Sequence, residues 1–171
     1  VDYVAVNSKD QVISVSGETT IKVWDTESGI CLRTLRGHSG RVSALAVNSK
    51  DQVISGSWDY TIKVWDTKNG ECLRTLTGHS DYVFVLAVNS KGQLISGSED
   101  ETIKVWDIKS GTCLRTLKGN LGSVGALALN SKDQVISGSG DSTIKVWDTE
   151  SGICLQTLTG HLSTVNALAV N

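Results

Sequence analysis

Trp24, Trp65, Trp106 and Trp147 stand 41 residues apart, and so do Cys31, Cys72, Cys113 and Cys154. A fixed period of roughly 20–50 residues marks a chain built from one supersecondary unit that cannot bury its apolar face alone. Four units follow, 1–41, 42–82, 83–123 and 124–164, and the last seven residues, 165–171 (VNALAVN), restart the unit in the pattern of 42–48 (VSALAVN). Units two and four agree at 30 of 41 positions, so the copies diverged little or were made that way.

Inside a unit the apolar period is two. Val42-Ser43-Ala44-Leu45-Ala46-Val47 is a small, apolar run suited to a buried inner strand, and a polar turn at 48–51 leads into a second run, 52–57. Thr61-Ile62-Lys63-Val64-Trp65-Asp66 alternates cleanly and is rich in β-branched residues. Lys68-Asn69-Gly70-Glu71 reads as a hairpin turn, with Asn-Gly supplying the positive φ angles of primed turns. Cys72-Leu73-Arg74-Thr75-Leu76 closes the unit as an outer strand. The fold class is therefore all-β, with one four-stranded antiparallel blade per unit and no helix.

The pairs Gly37-His38, Gly78-His79 and Gly160-His161, with Trp-Asp at 24–25, 65–66, 106–107 and 147–148, resemble WD-repeat (WD40) β-propellers over essentially the whole chain. The resemblance implies one hydrogen-bonded tetrad per blade. These are His38, Ser55, Asp59 and Trp65 in the second unit, and His79, Ser96, Asp100 and Trp106 in the third. The fourth has Asn120 where histidine is expected, which leaves Ser137, Asp141 and Trp147 without an imidazole. The first has Ser14, Glu18 and Trp24, with glutamate in place of aspartate, Val15 in place of glycine, and no Gly-His before it. His161 has no following blade to serve.

Serine, histidine and aspartate together also suggest a hydrolase. The set recurs unit after unit, whereas a nucleophilic site is assembled once, and each set includes a tryptophan that would cover the hydroxyl. These sets read as structural, and no metal cluster, phosphate loop or unique acid–base pair stands out elsewhere. We expect no enzymatic activity, no cofactor and no metal.

Charge and cysteine usage narrow the class. Sixteen basic against 18 acidic residues give a formal charge of −2, unlike a dedicated nucleic-acid binder. Lys22, Lys63, Lys104 and Lys145 read as a solvated stripe. No apolar run approaches the ~20 residues of a membrane helix, so no membrane partner is expected. The chain opens Val1-Asp2-Tyr3 without a signal-like segment or a starting Met, which reads as a fragment or processed chain. The cysteines occupy one position per unit on the outer strand, too far apart for disulfides, and read as small hydrophobes in a reducing, cytoplasmic setting.

Comparison of the copies separates scaffold from variable surface. Thr-Ile-Lys-Val-Trp-Asp is invariant, while variation gathers at the start of the first strand and on both sides of the tetrad acid. The family resemblance implies that these places share one face around the channel mouth, where partners bind. Units two and three concentrate Arg41, Trp58, Tyr60, Asp81, Tyr82, Phe84, Glu99 and Glu101 there. Aromatic anchors beside charges describe a protein- or peptide-binding hot spot, and the carboxylates suit an arginine-bearing ligand. Two alternatives stand beside this scaffold reading: an engineered or recently amplified repeat without an evolved ligand, and a sensor piece of a larger bacterial signalling protein. Four blades closing one ring need about 90° of turn each, against about 45° in an eight-bladed ring. A homodimer of two chains, each lending its 165–170 strand and His161 to the other, is the expected closed form.

Overall fold

In the computed structural model, which describes residues 2–170, sixteen strands form four separate antiparallel sheets. Sheet one holds β1 (Tyr3–Val6), β2 (Val12–Val15), β3 (Ile21–Trp24) and β4 (Cys31–Leu35). Sheet two holds β5 (Val42–Val47), β6 (Val53–Ser57), β7 (Ile62–Trp65) and β8 (Cys72–Leu76). Sheet three holds β9 (Val83–Val88), β10 (Leu94–Ser98), β11 (Ile103–Trp106) and β12 (Cys113–Leu117). Sheet four holds β13 (Val124–Leu129), β14 (Val135–Ser139), β15 (Ile144–Trp147) and β16 (Cys154–Leu158). Each sheet is a meander in chain order and falls within one 41-residue unit. The first strands β1, β5, β9 and β13 are neighbours in that order and form the inner side of the stack.

The core lies between sheets. Ile13, Ile21, Val23 and Leu35 of sheet one pack with Val42, Val53 and Trp65 of sheet two. Ile54, Ile62, Val64 and Leu76 meet Val83, Leu94 and Trp106 in the same way, and Ile95, Ile103, Val105 and Leu117 meet Val124, Val135 and Trp147. One layer of four aliphatic side chains against two valine or leucine residues and a tryptophan is thus used three times. Glycine precedes the tetrad histidine because the chain must lie on that tryptophan. Gly37 has φ 152°, and an added Cβ would stand 3.2 Å from the Trp65 ring.

The structure departs from the sequence reading at three places. Only Gly70 of the Asn69-Gly70 pair is left-handed (φ 81°), and Asp66 closes a longer loop by accepting the Gly70 N–H at 2.8 Å and donating its own N–H to Glu71 at 3.0 Å. Cys31, Cys72 and Cys154 are exposed and Cys113 half-buried, because the outer strand has water on its far side, so only Cys113 packs as a small hydrophobe against a core cluster. Residues 165–170 form no described strand ladder: Val165 is buried and donates to the Ser139 carbonyl at 3.1 Å, but a strand needs a neighbour for its remaining backbone groups. Val1 and Asn171, the ends of units 1–41 and 165–171, lie outside the described residues.

Candidate interaction surface

The tetrads position the surface, so their geometry comes first. Trp65 Nε1–H donates to Ser55 Oγ at 2.8 Å, Ser55 Oγ lies 2.8 Å from His38 Nε2, and His38 Nδ1 lies 2.7 Å from an Asp59 carboxylate oxygen. Since the hydroxyl already accepts from the indole, it donates to Nε2, and Nδ1–H donates to the carboxylate. The imidazole is neutral with both nitrogens used. Trp106, Ser96, His79 and Asp100 repeat the chain at 2.8, 2.7 and 2.7 Å. Ser55 and Ser96 are completely buried, so no substrate reaches either hydroxyl.

Burial opposes the charge on Asp59, but donors from Thr61 and His38 outweigh it and hold the pKa at about 2. Asp100 is also held below the ordinary carboxylate range, burial again being outweighed by His79, Thr102 and Ser80. Desolvation lowers the His38 pKa, with Asp59 acting in the opposite direction. In sheet four Asn120 is buried, and neither its amide nitrogen nor its oxygen has a partner. Asp141 there keeps the Thr143 hydroxyl and the Leu121 N–H, and Ser137 keeps Trp147. In sheet one Trp24 donates to Ser14 at 2.8 Å and Thr20 donates to Glu18 at 3.0 Å, but no histidine is present.

Each tetrad acid sits in the turn after the second strand, and its flanking residues are displayed as a result. Asp59 accepts from the Thr61 N–H and hydroxyl at 3.0 and 2.6 Å, and its own N–H donates to Ser57 Oγ at 3.1 Å. This clamp leaves Tyr60 left-handed (φ 68°) and turns Trp58 and Tyr60 outward, 38% and 44% exposed. The Trp58 N–H donates to the Arg41 carbonyl at 2.9 Å, tying the turn to the segment that enters β5.

Five of the eight predicted surface residues converge. Tyr82 is the hub: its ring stacks on Trp58 at 4.7 Å and lies 5.8 Å from Tyr60 and 6.2 Å from Phe84. The Arg41 guanidinium lies 5.3 Å from the Trp58 ring centre and pairs with Asp2 at 2.9 Å. Asp2 also accepts the Gly17 N–H, so this ion pair connects sheets one and two. Asp2 was missed in the sequence, where nothing marks it apart from its neighbours. Asp81 turns back on its own chain, accepting the Tyr82 N–H at 2.8 Å. Glu99 and Glu101 are exposed on either side of Asp100, and Glu99 N–H donates to the Tyr82 carbonyl at 2.8 Å, which places this acidic turn beside the aromatic hub.

The lysine stripe is partly engaged: Lys63, Lys104 and Lys145 donate to Thr75, Thr116 and Thr157 on the outer strand, while Lys22 lies over the Trp24 ring at 5.5 Å. No cluster of three metal-ligating side chains occurs among the described residues, and no described helix is long and apolar enough to cross a membrane.

Comparison with known proteins matches residues 29–66, 70–107 and 111–148 to the WD domain, G-beta repeat, family model. Each match runs from the outer strand of one sheet through the third strand of the next, the span that holds one Gly-His (Gly-Asn in the last match) and the Trp-Asp it serves. A segment of 33 residues is 48% identical to the WD repeat-containing protein pop1 of Schizosaccharomyces pombe, covering 19% of this chain and 4% of that protein.

Proposed function

Because the chain belongs to the WD40 repeat family, whose members are generally non-catalytic interaction scaffolds, we propose that it holds a protein or peptide segment on the Trp58–Tyr60–Tyr82–Phe84 face. The observation that carries this reading is the aromatic hub itself. Four rings from two adjacent sheets make one continuous cluster at positions that the other copies fill with Gly, Glu, Asp, Ser, Thr, Arg or Asn, none of them aromatic. Its exposed rings give large contact area at low entropic cost, which suits a binding anchor. Asp81, Glu99 and Glu101 add negative charge, so an extended peptide with an arginine is the favoured ligand class.

The same proposal includes ring completion: two copies of the four-bladed chain close one eight-bladed homodimer, in a reducing, cytoplasmic setting that suits three exposed thiols and one half-buried thiol. The competing reading is an amplified or engineered repeat without a ligand, which the near-identity of the units favours. A displayed random-peptide library, with one arm fixed to carry arginine, separates them. Enrichment of arginine peptides that Phe84→Ala abolishes, with a nearly unchanged thermal midpoint, supports the scaffold. Enrichment of nothing, or unfolding by Phe84→Ala and Trp58→Ala alike, defeats it.

A further inference from the structure

At the end of the sheets opposite the aromatic hub, the turn between the first two strands of one sheet meets the same turn of the next. Between sheets one and two, Ser8 clamps the Asp51 carboxylate there, its N–H donating to one oxygen at 2.9 Å and its hydroxyl to the other at 2.7 Å. Between sheets three and four, Ser90 holds Asp133 with the same two donors, the N–H at 3.1 Å. These donors keep both aspartates below the ordinary carboxylate range. Two further ties accompany the clamp. Thr67 and Thr149 donate to the Asp51 and Asp133 carbonyls, and Arg33 and Arg115 donate across the junction to the Lys68 and Glu150 carbonyls.

Sheets two and three meet without these ties. Gly92 stands at the position of Asp51 and Asp133, and Ile108 at that of Thr67 and Thr149. Ser49, the counterpart of Ser8 and Ser90, is exposed, and among the described residues its N–H and hydroxyl have no partner. Its turn is nevertheless held as theirs are: Asn48 accepts the Lys50 and Gln52 N–H groups at 3.0 Å each, as Asn7 and Asn89 do for their own turns. Gly92 keeps the left-handed backbone of the aspartates, φ 74° against 59° and 57°, and nothing lies within 4 Å of a Cβ added to it. A cavity of about 610 Å³ lies at this junction, lined by Ser49, Gly92, Lys50, Arg74, Lys91 and Lys109. Lys91 pairs with Glu150, and Asp107 in the same lining accepts the Ser110 N–H at 2.8 Å. Lys50, Arg74 and Lys109 form no ion pair among the described residues.

We propose that the junction of sheets two and three binds an organic acid with more than one carboxylate, one of which takes the place that the Asp51 and Asp133 side chains take at the neighbouring junctions. The Ser49 N–H and hydroxyl each donate to one oxygen of that carboxylate, a two-pronged fit that the same chain makes twice with its own aspartates. Lys50, Arg74 and Lys109 balance the remaining charge, and the Arg74 guanidinium suits a second carboxylate because its planar fork can donate twice. Val64, Leu73 and Ile108 give the same cavity an apolar wall for the carbon chain between the acids. Two sources share this chemistry, a free dicarboxylic acid and the side chains of a glutamate-rich peptide. The volume falls within the roughly 300–1,000 Å³ of small-molecule sites. This site is separate from the aromatic face and stands whether or not that face binds a peptide.

The test follows the backbone amides of the 171-residue chain by NMR during titration with glutarate, with an acetylated and amidated triglutamate peptide, and with sodium chloride at matched ionic strength. The Ser49 and Gly92 amide signals should shift saturably with glutarate, with the peptide or with both, which tells the two sources apart, and should stay in place with chloride. Ser49→Ala should weaken binding about tenfold, since one of two hydrogen bonds to a charged group is lost. Gly92→Asp is the sharper variant, because it supplies the carboxylate from within the chain. Aspartate already occupies this left-handed position in the other three units, as Asp10, Asp51 and Asp133, so the backbone accepts it. The Ser49 amide signal of Gly92→Asp should move toward those of Ser8 and Ser90, and neither probe should shift it further. Should that variant fail to fold, Ser49→Ala carries the test alone, its parent hydroxyl having no partner in the chain to lose. A response to chloride equal to that of the acids, no response to any probe, or undiminished binding in the variants overturns the proposal.

Discussion

The Tyr82 ring lies on the Trp58 ring at 4.7 Å and 19°, joining the turn between β6 and β7 to the segment that enters β9. One ring comes from the second unit's variable turn, and the other from the boundary of the third. Stacking across that boundary makes the binding face a property of two blades together. Tyr82→Ala and Trp58→Ala should each lower stability, and a double-mutant cycle should return a coupling of about 0.5–1.5 kcal/mol. Chemical denaturation of the four proteins measures it, and additive losses would mean that the rings only share space.

The tetrads supply a natural comparison. Ser96→Ala removes the acceptor for Trp106 and the donor to His79, both in the buried interior, and should cost about 1–3 kcal/mol. Asn120→His should shift stability by a similar amount in the opposite direction, by filling a site where the Asn120 amide has no partner and Ser137 and Asp141 lack an imidazole. A variant whose thermal midpoint matches the parent would show that sheet four no longer accommodates the ring.

Acid should act on the tetrads before it acts elsewhere. His38 has a folded pKa below its ordinary 6.5, so the unfolded chain takes up that proton first, and stability begins to fall as the pH drops below about 6.5. Asp59 and Asp100 have depressed folded values, so their contribution is complete above about 4 and is lost as the pH falls, toward about 2 for Asp59 and further into acid for Asp100. Both effects have the same sign. Urea midpoints should be nearly level above neutrality and fall steadily in acid, and Thr61→Val should move the lower limb to higher pH by removing a donor to Asp59. Superimposable curves for parent and variant would place the acid sensitivity elsewhere.

The four cysteines are exposed or half-exposed on outer strands, their Sγ atoms close to backbone carbonyls two residues on. Alkylation of the native chain without reductant should therefore modify all four thiols, with Cys113 slowest. Intact mass reads the count, and two or fewer additions would contradict the arrangement.

Much of this architecture was legible before any coordinates. The 41-residue period, the four strands per unit and the division into sheets follow from spacing and alternation, which are local properties of the chain. The pairing of His38 with Ser55 and Asp59 followed from the family pattern, and so did the deficit at Asn120. The Asn69-Gly70 turn was misjudged because Asp66 recruits a longer loop, and the cysteines because a period-two pattern does not say which face of an outer strand has a neighbour.

What the sequence by itself determined is the repeated unit: strand order, turn positions and the residues that must meet within and between adjacent blades. Its information is periodic, and periodic information specifies every junction alike. Only the tertiary structure decided what is not periodic. It stacked Tyr82 on Trp58, joined Arg41 to Asp2 across two sheets, and left Trp24 half-covered at one end and Leu158 exposed at the other. The reason is physical: burial and stacking depend on which surfaces face each other in space, and among the described residues the first and fourth sheets each have a face with no neighbouring sheet.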